Sequence, residues 1–401
     1  MINTQQESRF SLWQPFIYLV MLGFTFIAMP QSNSTYLLTR LVQAVEVAFC
    51  GVLFIQFFRQ EITINPFNWR VNLWWFFYTV LAYMFSHSAV GLTPFFRWLN
   101  IIIFLLLGVC YWQHDITNSL KYMAIVFSLL IYVNAVLLVM FPEGLWIDYE
   151  WKGTGDATRH LFGNYNQIGF ICLLGITIHA MYTLTTQRGR RNLFLLTAVS
   201  IWSVVFVGSM TSTVGLCILG AYLLLHKRIK HPKVFLIIFV VLYILFFLIV
   251  VWFGNSIEEV NLMTKFVENV LAKEITFSNR TDIWSNAVYR IQRNPWLGYG
   301  IQDVEWNMTY LNGSGPHNLW LMLLLQGGII LCLGFQIVVI FVVRKAWKAS
   351  TIASITSLVA LCVFFLMSLF ETYNIIQTFF FLQLIYYSPL LTTNEHEPNE
   401  Q

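Results

Sequence analysis

The sequence predicts an all-α, polytopic transmembrane helical bundle of about twelve helices. Three observations carry this: an apolar excess, apolar runs of spanning length, and cations gathered on alternate connections. Hydrophobic residues make up 58% of the 401 and charged residues only 10%, against roughly 25% charged in a soluble domain. So few charges cannot wet the exterior of a soluble core of that size. The net charge of +4 is small and no basic run is present, so nucleic acid is not an expected partner.

A spanning helix needs about 20 mostly apolar residues. Runs of that kind begin near Ser11, Tyr36, Val71, Phe95, Leu120, Gln167, Asn192, Ser209, Val234, His317, Thr351 and Tyr373. The first, Ser11 to Met29, is followed by uncharged Pro30-Gln31-Ser32-Asn33-Ser34 with no small-residue cleavage pattern. It is therefore expected to be a retained helix rather than a signal peptide. The seventh and eighth runs nearly merge through Phe206-Val207-Gly208-Ser209, where only a tight turn fits. The whole of 1–401 is expected to form a single transmembrane domain.

Lys and Arg favour cytoplasmic loops. With a cytoplasmic N-terminus, inner loops hold 14 of the 23 cations and outer loops 7. Those seven fall in two long loops, where the rule acts weakly. Both termini are thus expected in the cytoplasm. The six cysteines, Cys50, Cys110, Cys172, Cys217, Cys332 and Cys362, lie in or beside apolar segments with no C-x-x-C pair. They read as small packing residues rather than a disulfide framework or metal site.

The two long loops, 142–166 and 254–316, are expected to be extracytoplasmic and functional, since ordered loops of such length usually are. The second contains an amphipathic helix over Thr281 to Arg293, with Ile283, Trp284, Ala287, Val288 and Ile291 on one face. Asn279 or Thr281 is its expected cap and Pro295 its end. Its apolar face is expected to lie on the outer membrane surface.

Four clusters carry candidate chemistry. Arg159 precedes Gly163-Asn164-Tyr165-Asn166 at the start of the sixth helix, where an arginine fork and helix N–H groups suit an anion. The plainer reading is an interfacial cation beside turn residues. Arg280, Arg290 and Arg293 lie on the amphipathic helix and could grip a diphosphate or attract lipid headgroups. His317 and Asn318 open the tenth helix; a histidine there suits a general base, although helix starts also use such residues as caps. Ser209 and Ser212 open the eighth, where small hydroxyl residues suit close packing or a polar ligand.

Two acidic pairs, Asp148 with Glu150 and Asp303 with Glu305, lack the rest of a metal ligand set and read as loop charges. No metal site or cofactor is expected. Glu46, within the second apolar run, is an intramembrane carboxylate that would need a function or a partner such as Arg97 or Arg40.

In order along the chain, these clusters resemble the O-antigen ligase and polymerase superfamily, the WaaL- and Wzy-like bacterial membrane proteins. The shared features are Arg159 before the G-x-x-N turn at Gly163 to Asn166, and the serine-rich stretch Ser209-Met210-Thr211-Ser212. The long loop then shows R-x-x-x-W at Arg280 to Trp284 and P-x-x-G-x-G at Pro295 to Gly300. His317-Asn318 and the pair Gly327-Gly328 complete the set. Ser212-Thr213 stands where the family often has S-R, which separates this stretch from the pattern.

The resemblance implies a GT-C-like glycosyltransferase of the cytoplasmic (inner) membrane, working without metal or nucleotide sugar. Its donor would be a glycan on a polyprenyl (undecaprenyl) diphosphate carrier. The acceptor would be lipid A core for a ligase, or a carrier-linked glycan repeat for a polymerase. In that setting Arg159 and Arg280 would clamp the diphosphate, with Arg290 or Arg293 in support. His317 would take the acceptor proton, with Asp282, Asp303 or Glu305 as substitutes, and Asn164, Asn166, Asn318, Ser209 and Ser212 would line the site. A single displacement would invert the anomeric centre. The rival from another class is a lipid or solute transporter, supported by the helix number and Glu46. Transporters, however, concentrate polar groups near the midplane rather than in outer loops.

Overall fold

The computed structural model describes residues 64–86, 93–113, 115–148, 157–252 and 276–391, with Gly91 and scattered positions between 26 and 58. Glu46, Glu150, most of the first two expected helices, residues 254–275 and the tail from 392 lie outside the described residues. Helices are numbered from the first one fully described. Pro66–Phe85 (α1) starts where Asn65 accepts from the Asn68 amide at 2.9 Å and Pro66 fills the first position. Thr93–Leu107 (α2) continues through the π-helical turn Gly108–Trp112, and Ile116–Met140 (α3) is capped by Asp115.

A short antiparallel hairpin follows, Trp146–Asp148 (β1) paired with Ala157–Arg159 (β2), with Trp146 opposite Arg159. Tyr165–Thr186 (α4) begins with a full capping box, Asn164 and Gln167 each satisfying the other's backbone N–H. Arg190–Phe206 (α5) and Met210–Leu225 (α6) are joined through Val207-Gly208-Ser209, the tight turn the sequence requires. Pro232–Phe246 (α7) runs on into the π-helical segment Phe247–Trp252. Beyond the undescribed stretch come Thr276–Arg293 (α8) and Val304–Leu311 (α9). Leu319–Ala349 (α10), Ile352–Ser368 (α11) and Ile375–Tyr387 (α12) complete the described helices.

Five described helical stretches are long and apolar enough to cross a membrane: Pro94–Trp112, Ile116–Met140, Tyr165–Thr186, Pro232–Trp252 and Leu319–Ala349. The protein is an integral membrane protein, all-helical among its described residues apart from one small hairpin. Helix α4 lies at the centre, 94% of its apolar window covered, against α3, α5, α6 and α11. A second packing centre joins α1, α10 and α12 through rings of Trp74, Phe335 and Phe379, and Trp74 donates its indole N–H to the Leu331 carbonyl at 2.9 Å. The five described cysteines are free, and Cys217 alone among them is exposed.

Helix α10 is broken at Gly327 and Gly328, whose dihedrals leave the helical region. Backbone groups freed inside a membrane protein must find partners. The strap 294–303 supplies them. Tyr299 N donates to Leu325 O at 2.7 Å and Gly300 N to Gln326 O at 3.0 Å, while Ile329 N donates to Pro295 O at 2.7 Å. The P-x-x-G-x-G strap and the glycine pair are therefore two halves of one structure.

Two sequence expectations need correction. Helix α8 starts at Thr276, not Thr281, so Asn279 and Thr281 lie inside it and are not caps. Its apolar face does not lie on the membrane surface. Ile283, Trp284, Ala287, Val288 and Ile291 are buried against Val251, Trp306, Leu311, Leu321 and Leu325. Asp303 is exposed, and one of its carboxylate oxygens caps α9 by accepting from the Trp306 amide at 2.7 Å.

Candidate active site

At one end of the bundle, the starts of α4, α6 and α10 meet the connection 369–374 that follows α11. Asn318 builds the start of α10. Its side-chain oxygen accepts from the amides of Trp320 and Leu321 at 3.0 and 3.1 Å, and its Nδ2 donates to the Leu369 carbonyl at 3.0 Å. Asn318 is fully buried, so it ties the two segments together and does not face a ligand. His317, just outside the helix, adopts φ +44°, a conformation that costs a non-glycine residue about 1–3 kcal/mol. That cost is borne where the imidazole meets Glu371.

Glu371 organises the site. Its Oε1 lies 3.2 Å from His317 Nδ1 and 3.2 Å from the Thr372 amide. Its Oε2 accepts from Asn166 Nδ2 and lies 3.9 Å from an Arg280 guanidinium nitrogen. Arg280 also donates to the Phe370 carbonyl. The carboxylate is 8% exposed, while Arg280 and His317 are 25% and 27% exposed. A buried carboxylate is costly without partners; here two cation-forming side chains and two amide donors surround it, and the arginine and histidine still open outward.

A hydrogen-bonded chain runs inward from this carboxylate. Asn166 accepts from Ser209 Oγ at 2.9 Å, and Ser209 lies 2.8 Å from Ser212. With one proton per hydroxyl, Ser209 donates to Asn166 and Ser212 donates to Ser209. Ser212 is also hydrogen-bonded to Tyr373, whose phenol is pushed up first by burial and then by the Glu371 carboxylate. Ser212 serves packing as well, since a Cβ on Gly169 of α4 would overlap it. The packing reading of the serine stretch therefore holds, and both hydroxyls are hydrogen-bonded inside the protein.

The remaining candidates divide. Arg159 sits on β2, half-buried, and the tight turn His160 to Gly163 delivers the chain from it to the start of α4. His160 is buried in that turn, and burial lowers its pKa. Asn164 is occupied by its capping box. Arg290 and Arg293 lie about 15 and 20 Å along α8 from Arg280 at the usual helical rise. They stack on Tyr310 and Tyr289, at 4.3 and 4.4 Å, instead of joining Glu371. Asp282 and Glu305 are exposed.

Glu371, Ser314 and Tyr373 are not visible as site residues in the sequence. One signal exists for the first: Glu371 is the sole acidic residue between Glu305 and Glu395. Among the described residues no group of three or more His, Cys, Asp and Glu forms a candidate metal site.

The fold and this polar cluster define an integral membrane protein with ionisable groups gathered at one bundle end. Residues 195–336 match the family described as O-antigen ligase. The match supports a likeness to the O-antigen ligase/polymerase superfamily over that part of the chain. It spans Ser209, Ser212, Arg280, His317 and the glycine pair, and stops short of Arg159, Asn166 and Glu371. No curated protein was found to match the chain.

Proposed function

We propose that this protein is an O-antigen ligase-type glycosyltransferase of the bacterial inner membrane. It moves a glycan from a polyprenyl diphosphate carrier to lipid A core on the outer face. The observation that carries the reading is the convergence of Arg280, from α8, and His317, from the turn before α10, on one buried carboxylate. In the reaction the bond from the anomeric carbon to the diphosphate oxygen breaks and the carrier diphosphate leaves with the electron pair. The acceptor oxygen attacks the anomeric carbon and its proton passes to His317 Nε2. Arg280, with Arg159, holds the charge that grows on the diphosphate.

The break in α10 also bears on the transporter alternative. Transporters use broken helices to line a midplane cavity, whereas here the strap fills the break with protein hydrogen bonds. The test is transfer by purified protein from a polyprenyl-diphosphate donor, comparing wild type with Arg280→Ala and His317→Ala. Transfer to lipid A core, lost in both variants, supports the ligase reading. Transfer only to a carrier-linked repeat makes the protein a Wzy-type polymerase. No transfer to either acceptor overturns the enzyme reading.

A further inference from the structure

Two of the three side chains bound to Glu371 are about a quarter exposed, whereas the carboxylate itself is nearly buried. Each of its oxygens already has two neighbours: His317 Nδ1 and the Thr372 amide at Oε1, Asn166 and Arg280 at Oε2. Three hydrogen bonds and the Arg280 ion pair at 3.9 Å crowd a carboxylate that is only 8% exposed, so Glu371 is badly placed to act as the base. His317 has the opposite geometry. One nitrogen is turned to the carboxylate and the other lies 3.2 Å from Ser314 Oγ, in a side chain that is 27% exposed.

A carboxylate only accepts, so the nitrogen facing it must carry the proton. In a neutral imidazole this leaves Nε2 with its lone pair, and Ser314 donates to it. The Ser314 hydroxyl thus marks where a sugar hydroxyl would approach the base.

Resting on the transferase reading above, we propose that Glu371 is a positioning residue for that reaction. It fixes His317 as the Nδ1–H tautomer with the lone pair on Nε2, where the acceptor hydroxyl takes the place of the Ser314 hydroxyl and gives up its proton, and it stabilises the imidazolium that results. Atoms balance simply: the acceptor proton moves to Nε2, Nδ1 keeps its own, and Glu371 stays ionised. Glutamine at this position has the same shape but offers an N–H where the carboxylate offered only an acceptor, which removes the constraint on the tautomer. Arg280 retains the Phe370 carbonyl in that variant, so the diphosphate clamp is not dismantled.

The experiment uses full-length protein in detergent or nanodiscs with nitrogen-15-labelled histidine, the His317 signal being the one lost in His317→Gln. Wild type is expected to show the Nδ1–H tautomer and Glu371→Gln to lose that preference while melting as wild type does. In the transfer assay Glu371→Gln is expected to lower kcat by about a hundredfold or more with KM little changed. Glu371→Asp should recover part of the loss, and adding Glu371→Gln to His317→Ala should cost nothing further. If His317 is Nε2–H in wild type, or if Glu371→Gln lowers rate equally with and without His317, the proposal is overturned. The spectrum needs no turnover, so it tests Glu371 even if the transferase reading fails.

Discussion

The carbonyl of Trp296 lies where a side chain on Gly328 would have to go: a Cβ built at 328 overlaps that carbonyl, and Gly328 sits at φ +61° and ψ −161°. Reciprocally, a Cβ on Gly298, itself at φ +67°, would meet the Leu325 carbonyl and the Gly327 amide. Two backbones touch with nothing between them. The strap carrying Tyr299 and Gly300 is thereby laid into the broken helix, and the same strap follows directly from the C-terminal end of α8, the helix that presents Arg280.

Gly328→Ala is therefore expected to destabilise the protein by at least about 1–3 kcal/mol from backbone strain alone, with the overlap adding to it. The expected result is a lowered melting temperature in detergent and reduced yield. Gly315→Ala is the control, since nothing lies within 4 Å of a Cβ there, and it should melt close to wild type. An unchanged melting temperature for Gly328→Ala would mean that the strap does not occupy the break.

Much of this was legible in the sequence, for identifiable reasons. The third to twelfth apolar runs each became a helix, although the runs begin near Val71, Gln167 and Val234 where the helices start at Pro66, Tyr165 and Pro232. Arg280 and His317 stood out because charged and titratable side chains are scarce in this chain. Glu371 did not, because it lies in a short connection and its partners His317 and Asn166 are 54 and 205 residues away. Helical periodicity showed that α8 has an apolar face, but not that Leu321 and Leu325 of α10 cover it. Periodicity reports amphipathicity and is silent on what completes it.

The arginines of α8 should separate sharply. Arg280 meets Glu371 and Phe370, while Arg293 is exposed and stacks on Tyr289. Arg280→Ala is expected to lower the transfer rate by about 10²–10³-fold, the usual loss of one donor to developing charge. Arg280→Lys should recover little, because a single ammonium cannot replace the planar fork. Arg293→Ala should stay within a few-fold of wild type in the same assay. Equal losses at 280 and 293 would move the diphosphate site along the helix.

Acid should loosen the turn below Arg159. Burial disfavours the charged form of His160, so its folded pKa lies below the ordinary value of about 6.5. The unfolded chain then binds the proton more readily, and the stability is present above the unfolded pKa and lost as pH falls toward the folded one. Thermal melts should show a fall in stability from neutral to mildly acidic pH that is smaller in His160→Gln. The same slope in both proteins would assign the acid sensitivity elsewhere.

Asn166 offers the sharpest test of the charge arrangement, because it faces a carboxylate on one side and a hydroxyl on the other. Asn166→Ala removes a donor to Glu371 and the acceptor of Ser209, and leaving such buried groups unsatisfied costs about 1–3 kcal/mol. Asn166→Asp preserves shape and the Ser209 acceptor but sets a second carboxylate against Glu371. Like charges in a buried site repel more strongly than a lost hydrogen bond weakens it. At neutral pH the aspartate variant is therefore expected to melt below the alanine variant, and to regain stability as pH falls and one of the two carboxylates takes up a proton. The alanine variant should show no such recovery. If the two rank the other way, Asn166 does not face an ionised Glu371, and the carboxylate cannot be the group that gathers Arg280 and His317.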